Sequence, residues 1–128
     1  MSAEAEEKFE DTVYAYRLVD EENRKKRFHD IDIQRFQEII IDLDAVVPGL
    51  KGIMLGRALV LKACCLHWIL IGREAKETSK FWQPNPNHES LRSKGLQFAL
   101  KGRNILIDEE AEDYDISWAD NIVEKLGP

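Results

Sequence analysis

The run "ALVLKACCLHWILIG" limits what this chain can fold into more than any other stretch. From Ile53 to Ile71 there are nineteen residues, most of them apolar, close to the length a helix needs to cross a bilayer core. Arg57, Lys62 and His67 interrupt the run at different angles around a helix axis, and a spanning helix seldom accepts ionisable groups on several faces. The alternative is a helix at the centre of a bundle, apolar nearly all round because other helices surround it. That choice predicts no membrane and requires the remaining segments to be amphipathic helices.

They read that way. Pro48, Pro84, Pro86 and Pro128 all fall outside the periodic apolar segments and divide the chain. Residues 3 to 28 carry Ala5, Phe9, Val13, Tyr16 and Val19 along one stripe, with Tyr14 and Leu18 on another side as a second contact surface. Asp30 or Asp32 caps a helix over 32–47, with Ile33, Phe36, Ile40 and Leu43 facing inward. After "PGLKG" the apolar helix runs over about 50–81, and Gly52, Gly56, Leu59 and Ala63 give it one narrow face that a second backbone can approach. "WQPNPNHES" reads as a loop, Ser90 as the cap of a helix over 91–101, and Ile107, Ala111, Tyr114, Trp118, Ile122 and Leu126 as the stripe of a last helix over 104–126. No segment has the alternation of a strand. The sequence therefore predicts an all-α chain, a compact helical bundle of about five helices.

A length of 128 residues fits one domain: an acidic N-terminal helix over 1–30 and a bundle over 31–128. The acidic, polar opening "MSAEAEEKFED" lacks the basic and apolar pattern of a secretory signal, which predicts a cytoplasmic protein. The net charge of −6 is segregated, at −6 over residues 1–23, +7 over 24–103 and −7 over 104–128. A basic middle between acidic ends suits either helices packing side by side or attraction to nucleic acid or an acidic partner.

Four groups of residues carry candidate chemistry. Cys64, His67, His29 and His88 lack the spacing of a zinc site, so Cys64 and Cys65 read as buried thiols and His67 as a core histidine. Glu7 and Glu10 with Glu109, Glu110 and Asp113 offer hard oxygen ligands, but such pairs are generic among 24 acids, and no metal or other cofactor is expected. "RKKRF", together with Arg73, Lys76 and Lys80 leading into Phe81 and Trp82, combines phosphate neutralisation with stacking, the chemistry of single-stranded RNA binding. Finally, "KGRNILIDEE" places Arg103, Asn104 and Asp108 at the expected start of the last helix, where Arg103 can hold phosphate and Asp108 move a proton. The other account of the acids there is helix-start electrostatics.

"LHWILIGREAKETS", a Pro-rich loop and "LKGRNILIDEEAEDYDISWADNIVEKLGP" together resemble the HEPN superfamily, above all the HepT-like toxins paired with nucleotidyltransferase antitoxins. Ile71, Gly72, Ala75 and Lys76 match the family's core-helix ending, Arg103 and Asn104 its GxRN motif, and Asp115 and Trp118 lie where its following Asp and apolar ending fall. The likeness covers roughly residues 33–128. It implies a homodimer of helical bundles with a shared RNA cleft and metal-independent attack of a ribose 2′-OH on the adjacent phosphate, the motif Arg stabilising charge and the motif His handling the proton. In this chain Asp108 stands at the His position and Glu110 at the place of a Tyr. An exposed Asp ionises near pH ~4 and is a weak base and a poor acid at neutrality. Two functions follow as expectations. One is binding of RNA or an antitoxin-type protein, with RNase activity left open; the other is a non-catalytic adaptor, inhibitor or assembly protein that docks through its first helix and through Trp118, Ile122 and Leu126.

Overall fold

The computed structural model describes residues 3–77 and 86–127, and within them the chain is all-α. Five helices follow one another: α1 Ala3–Arg24, α2 Ile33–Val46, α3 Gly52–Glu77, α4 Pro86–Asp108 and α5 Asp113–Leu126. No strand occurs among the described residues.

Helix α1 buries Phe9, Thr12, Val19 and Asn23 and leaves Tyr14 and Leu18 exposed on another side. It stops four residues earlier than its periodicity suggests. The buried Asn23 amide donates to the Val19 carbonyl at 2.8 Å and accepts from the Asp32 backbone N–H at 2.9 Å, which ties the end of α1 to the start of α2. Asp32 is the cap of α2, accepting from the Arg35 N–H at 3.3 Å. Phe36, Ile39, Leu43 and Val46 form the buried face; Ile33 and Ile40, expected to point fully inward, are half-buried at its edge.

Helix α3 is the centre of the bundle. On one side it packs with α1 and α2 around Phe9, Phe36, Leu43, Leu61 and Ile69, and on the other with α4 and α5 around Val60, Ala63, Leu106, Ala119 and Ile122. The Trp68 ring stacks on Phe36 at 5.4 Å between centroids, and Tyr16 meets Phe36 edge-on at 6.2 Å. By length and composition α3 is able to cross a membrane, and in this fold 61% of its 18-residue apolar window is buried.

Gly56 of α3 and Gly102 of α4 set a close crossing of the two helices. A Cβ on Gly102 would lie 2.7 Å from Val60 Cγ2 and 2.8 Å from the Gly56 carbonyl oxygen, and one on Gly56 would lie 2.9 Å from Leu106 Cγ. The small-residue face expected on the central helix is therefore used, and its partner is α4.

That crossing corrects the sequence reading of the C-terminal half. Gly102 is a contact in mid-helix and not a break, so one helix runs from Pro86 to Asp108 where a loop, a short helix and the start of a last one were expected. The break comes at residues 109–112. Glu110 takes a left-handed φ of 55°, its N–H donates to the Ile107 carbonyl at 3.1 Å, and the Ala111 N–H donates to Leu106 at 2.9 Å. This pair of bonds is a Schellman ending with Glu where glycine is usual, and the buried Ala111 supplies the apolar contact that accompanies such an ending. Without a glycine to mark it, the sequence hides the boundary.

Candidate functional site

Among the clusters of ionisable side chains in the described residues, three bear on the candidate chemistry, and the first is the motif stretch. "KGRNILIDEE" closes α4 and does not open the last helix, so the helix-start account of its acids does not hold. Arg103 is half-buried, and its Nε donates to Asp120 Oδ1 on α5. Asn104 and Asp108 are exposed. Five helical positions separate Arg103 from Asp108, which sets them about 140° apart around the axis. The fold does not aim the two at one point.

It gathers acids instead. Asp108, Glu109, Glu110, Glu112 and Asp113 are all exposed around the turn from α4 to α5, where the last carbonyls of α4 add the negative end of its dipole. Some of these carboxylates have compensating neighbours: Glu109 Oε2 lies 3.7 Å from the Cβ position of Gly52, beside the positive start of α3, Glu112 is close enough to Arg57 to interact with it, and Asp113 stands in the first turn of α5. Two large apolar side chains flank the acids, Ile107 at 42% exposure and Tyr114 at 73%.

Beneath this corner lies the second cluster. Asp115, only 3% exposed in the first turn of α5, accepts from Arg57 on α3 through Nη2 at 2.8 Å and Nε at 3.2 Å to both carboxylate oxygens. This hydrogen bonding raises the Arg57 pKa above its ordinary value against the opposing effect of burial. The pair fixes α5 on α3 close to the break.

The other candidate residues are dispersed. Arg73 is half-buried and Lys76 exposed on the C-terminal turns of α3, while Lys80 and Trp82, with the neighbouring Phe81, lie outside the described residues. Ile122 and Leu126 are buried against the chain's own core, so two of the three residues expected to dock a partner are spent inside the bundle, while Trp118 is half-buried. Among the described residues no group of three or more His, Cys, Asp or Glu is placed to hold a metal ion.

The third cluster was not singled out in the sequence. Asp20 on α1 collects three donors: Arg24 Nε at 2.7 Å, Trp68 Nε1 at 3.0 Å and the Tyr16 hydroxyl at 3.5 Å. They border a cavity of about 390 Å³ between α1, α3 and α5. Cys64, His67, Trp118 and Lys125 also line it, and Phe28, 61% exposed, stands beside it in the short turn after α1. Burial, followed by the proximity of Cys64 and Asp20, raises the Tyr16 phenol above its ordinary range. Burial likewise pushes the Cys64 thiol up to about 12, so at neutral pH it rests as a protonated thiol. His67 falls to about 4, through burial first and then the charges of Lys125 and Arg92, and is a neutral imidazole in the physiological range. The signal in the sequence was the polar spacing Tyr16, Asp20, Arg24 at steps of four on a helix otherwise read only for its apolar stripe.

No family model, curated protein or solved structure matches the chain.

Proposed function

We propose that this chain is a HEPN-like helical bundle that works as a binding module for a protein partner of the antitoxin type, engaged through the α4–α5 corner, and that it does not cleave RNA. The observation carrying this reading is the exposed acidic corner at the negative end of α4, flanked by the exposed Ile107 and Tyr114. Such a surface suits a basic segment with an apolar anchor and repels a phosphate backbone. The arrangement of the motif residues also favours binding over chemistry. Arg103 is engaged by Asp120, and Asp108 lies well around the helix from it, so no charge-stabilising group stands beside a proton-transfer group. The homodimer implied by the resemblance belongs to the same proposal, with Tyr14 and Leu18, one turn apart and exposed on α1, as the surface it would use.

Two assays on the purified chain test this. End-labelled single-stranded RNA, incubated in chelator at two salt concentrations beside Arg103→Ala, should be neither cut nor held in a salt-sensitive complex. A fluorescein-labelled peptide alternating Lys and Leu should bind with an affinity reduced about tenfold by Asp108→Lys with Glu110→Lys, equivalent to ~1.4 kcal/mol. The same charge change at Glu21 and Glu38, on other helices, should have far less effect. RNA cleavage that disappears with Arg103 would sink the proposal and restore the nuclease reading.

A further inference from the structure

We propose that the cavity between α1, α3 and α5 is a binding site for a small aromatic monoanion of the arylcarboxylate class, its ring held by Trp118 and Phe28 and its acid group by Lys125. The volume of about 390 Å³ falls in the range of small-molecule sites, which are mostly apolar with a few placed polar groups. This cavity combines the two kinds of surface, with Asp20, Arg24, His67, Asn121 and Lys125 as its polar groups. Trp68, Trp118 and Phe28 give it aromatic surface, and Phe28 is an exposed large aromatic beside it that the packing of the bundle leaves uncovered.

The charges select the ligand's sign. Asp20 is satisfied by Arg24, Trp68 and Tyr16, so neither it nor Arg24 contributes an unbalanced charge. Arg92, close enough to affect His67, is engaged by Glu74 at 3.2 Å. Lys125 forms no ion pair among the described residues; in the last turn of α5 only the partial negative end of that helix opposes it, and it remains as the excess positive charge on the wall. His67, neutral at physiological pH, adds a donor and an acceptor without a second charge. One unpaired ammonium beside aromatic surface matches one carboxylate on an aromatic ring, and a polyphosphate would exceed the positive charge available.

The test is calorimetric titration of the full chain with 2-naphthoate and with its neutral counterpart 2-naphthamide, which share a ring system and differ in charge. Naphthoate should bind saturably and about tenfold more tightly than the amide, the size of one charge-assisted contact. Lys125→Met, at an exposed position where folding is not at stake, should abolish that difference and leave amide binding unchanged. Phe28→Ala, also exposed, should weaken both ligands alike. Absence of saturable heat with naphthoate, equal affinity for the two compounds, or naphthoate binding indifferent to Lys125→Met would each overturn the proposal.

Discussion

Gly102→Ala is the substitution whose sign is decided by the packing of α3 against α4. In an exposed helix interior, alanine in place of glycine stabilises by ~1 kcal/mol, because the unfolded glycine loses more freedom on folding. At Gly102 the added Cβ meets Val60 Cγ2 at 2.7 Å, the Gly56 carbonyl oxygen at 2.8 Å and the Val60 backbone nitrogen at 3.0 Å. Two of the three neighbours are backbone atoms and the third belongs to a stiff β-branched side chain, so relief requires the helices to separate. Overpacking of this kind costs about 1–3 kcal/mol, and the backbone neighbours place it at the upper end. After the propensity gain the net loss is about 2 kcal/mol, or roughly 4–8 °C in melting temperature for a domain of this size. The assay is thermal and urea unfolding followed by circular dichroism, with Ser93→Ala, exposed on the same helix, as the propensity control expected to stabilise by a few tenths of a kcal/mol. If Gly102→Ala leaves the melting temperature unchanged or raises it, Gly102 is not at a helix crossing and the reasoning about α4 fails.

Three further outcomes follow from other parts of the fold. Glu110→Gly should stabilise by about 0.5–1 kcal/mol in urea unfolding, because glycine occupies the left-handed Schellman position without a Cβ penalty; a destabilised variant would argue against that conformation. Arg57→Met should cost about 3 kcal/mol by leaving the buried Asp115 carboxylate unpaired, whereas Asp115→Ala should cost less, since the 44%-exposed Arg57 side chain can turn to water; the reverse order would contradict the burial assigned to the pair. His67 makes stability depend on pH. Its folded value of about 4 lies below the ordinary 6.5, so the unfolded chain binds the proton more tightly, and the contribution present above pH 6.5 is lost as pH falls toward 4. The full interval corresponds to ~3 kcal/mol, which solvent screening of a ring that is not fully buried reduces to about 1–2 kcal/mol. His67→Gln should flatten that part of the stability–pH curve, and an unchanged slope would show that the ring titrates normally.

The extent to which the sequence displayed this fold follows from which side chains mark their own role. The apolar run around Cys64 and Cys65 could only be a surrounded helix or a span, and its interruptions at Arg57, Lys62 and His67 pointed to the bundle; Asp30 and Asp32 both offered the residue type caps require, and the fold uses Asp32. The division of the C-terminal half was hidden for two reasons. Gly102 resembles a breaker to any local reading, yet its absent side chain serves a contact with Val60 and Gly56, more than forty residues earlier. The true break uses Glu110 in a conformation that its residue type does not advertise. A periodic stripe drawn through Ile107 and Tyr114 crosses that break, which is why both emerge exposed. The site was less legible than the fold. Arg103 and Asp108 lie only five residues apart in sequence, but helical geometry turns them about 140° from each other. Asp20 carries no local mark of its role, because its partner Trp68 lies forty-eight positions away and only the packing of α1 on α3 joins them.

The most direct test of the account is competition at the acidic corner, measured by anisotropy of the labelled Lys–Leu peptide against the wild-type chain and the Asp108→Lys, Glu110→Lys variant at one low salt concentration. We expect saturable binding to the wild type and about tenfold weaker binding to the variant, with single-stranded RNA failing to compete for either. Equal binding to both proteins, or displacement of the peptide by RNA, would contradict the assignment of the α4–α5 corner to a basic protein partner.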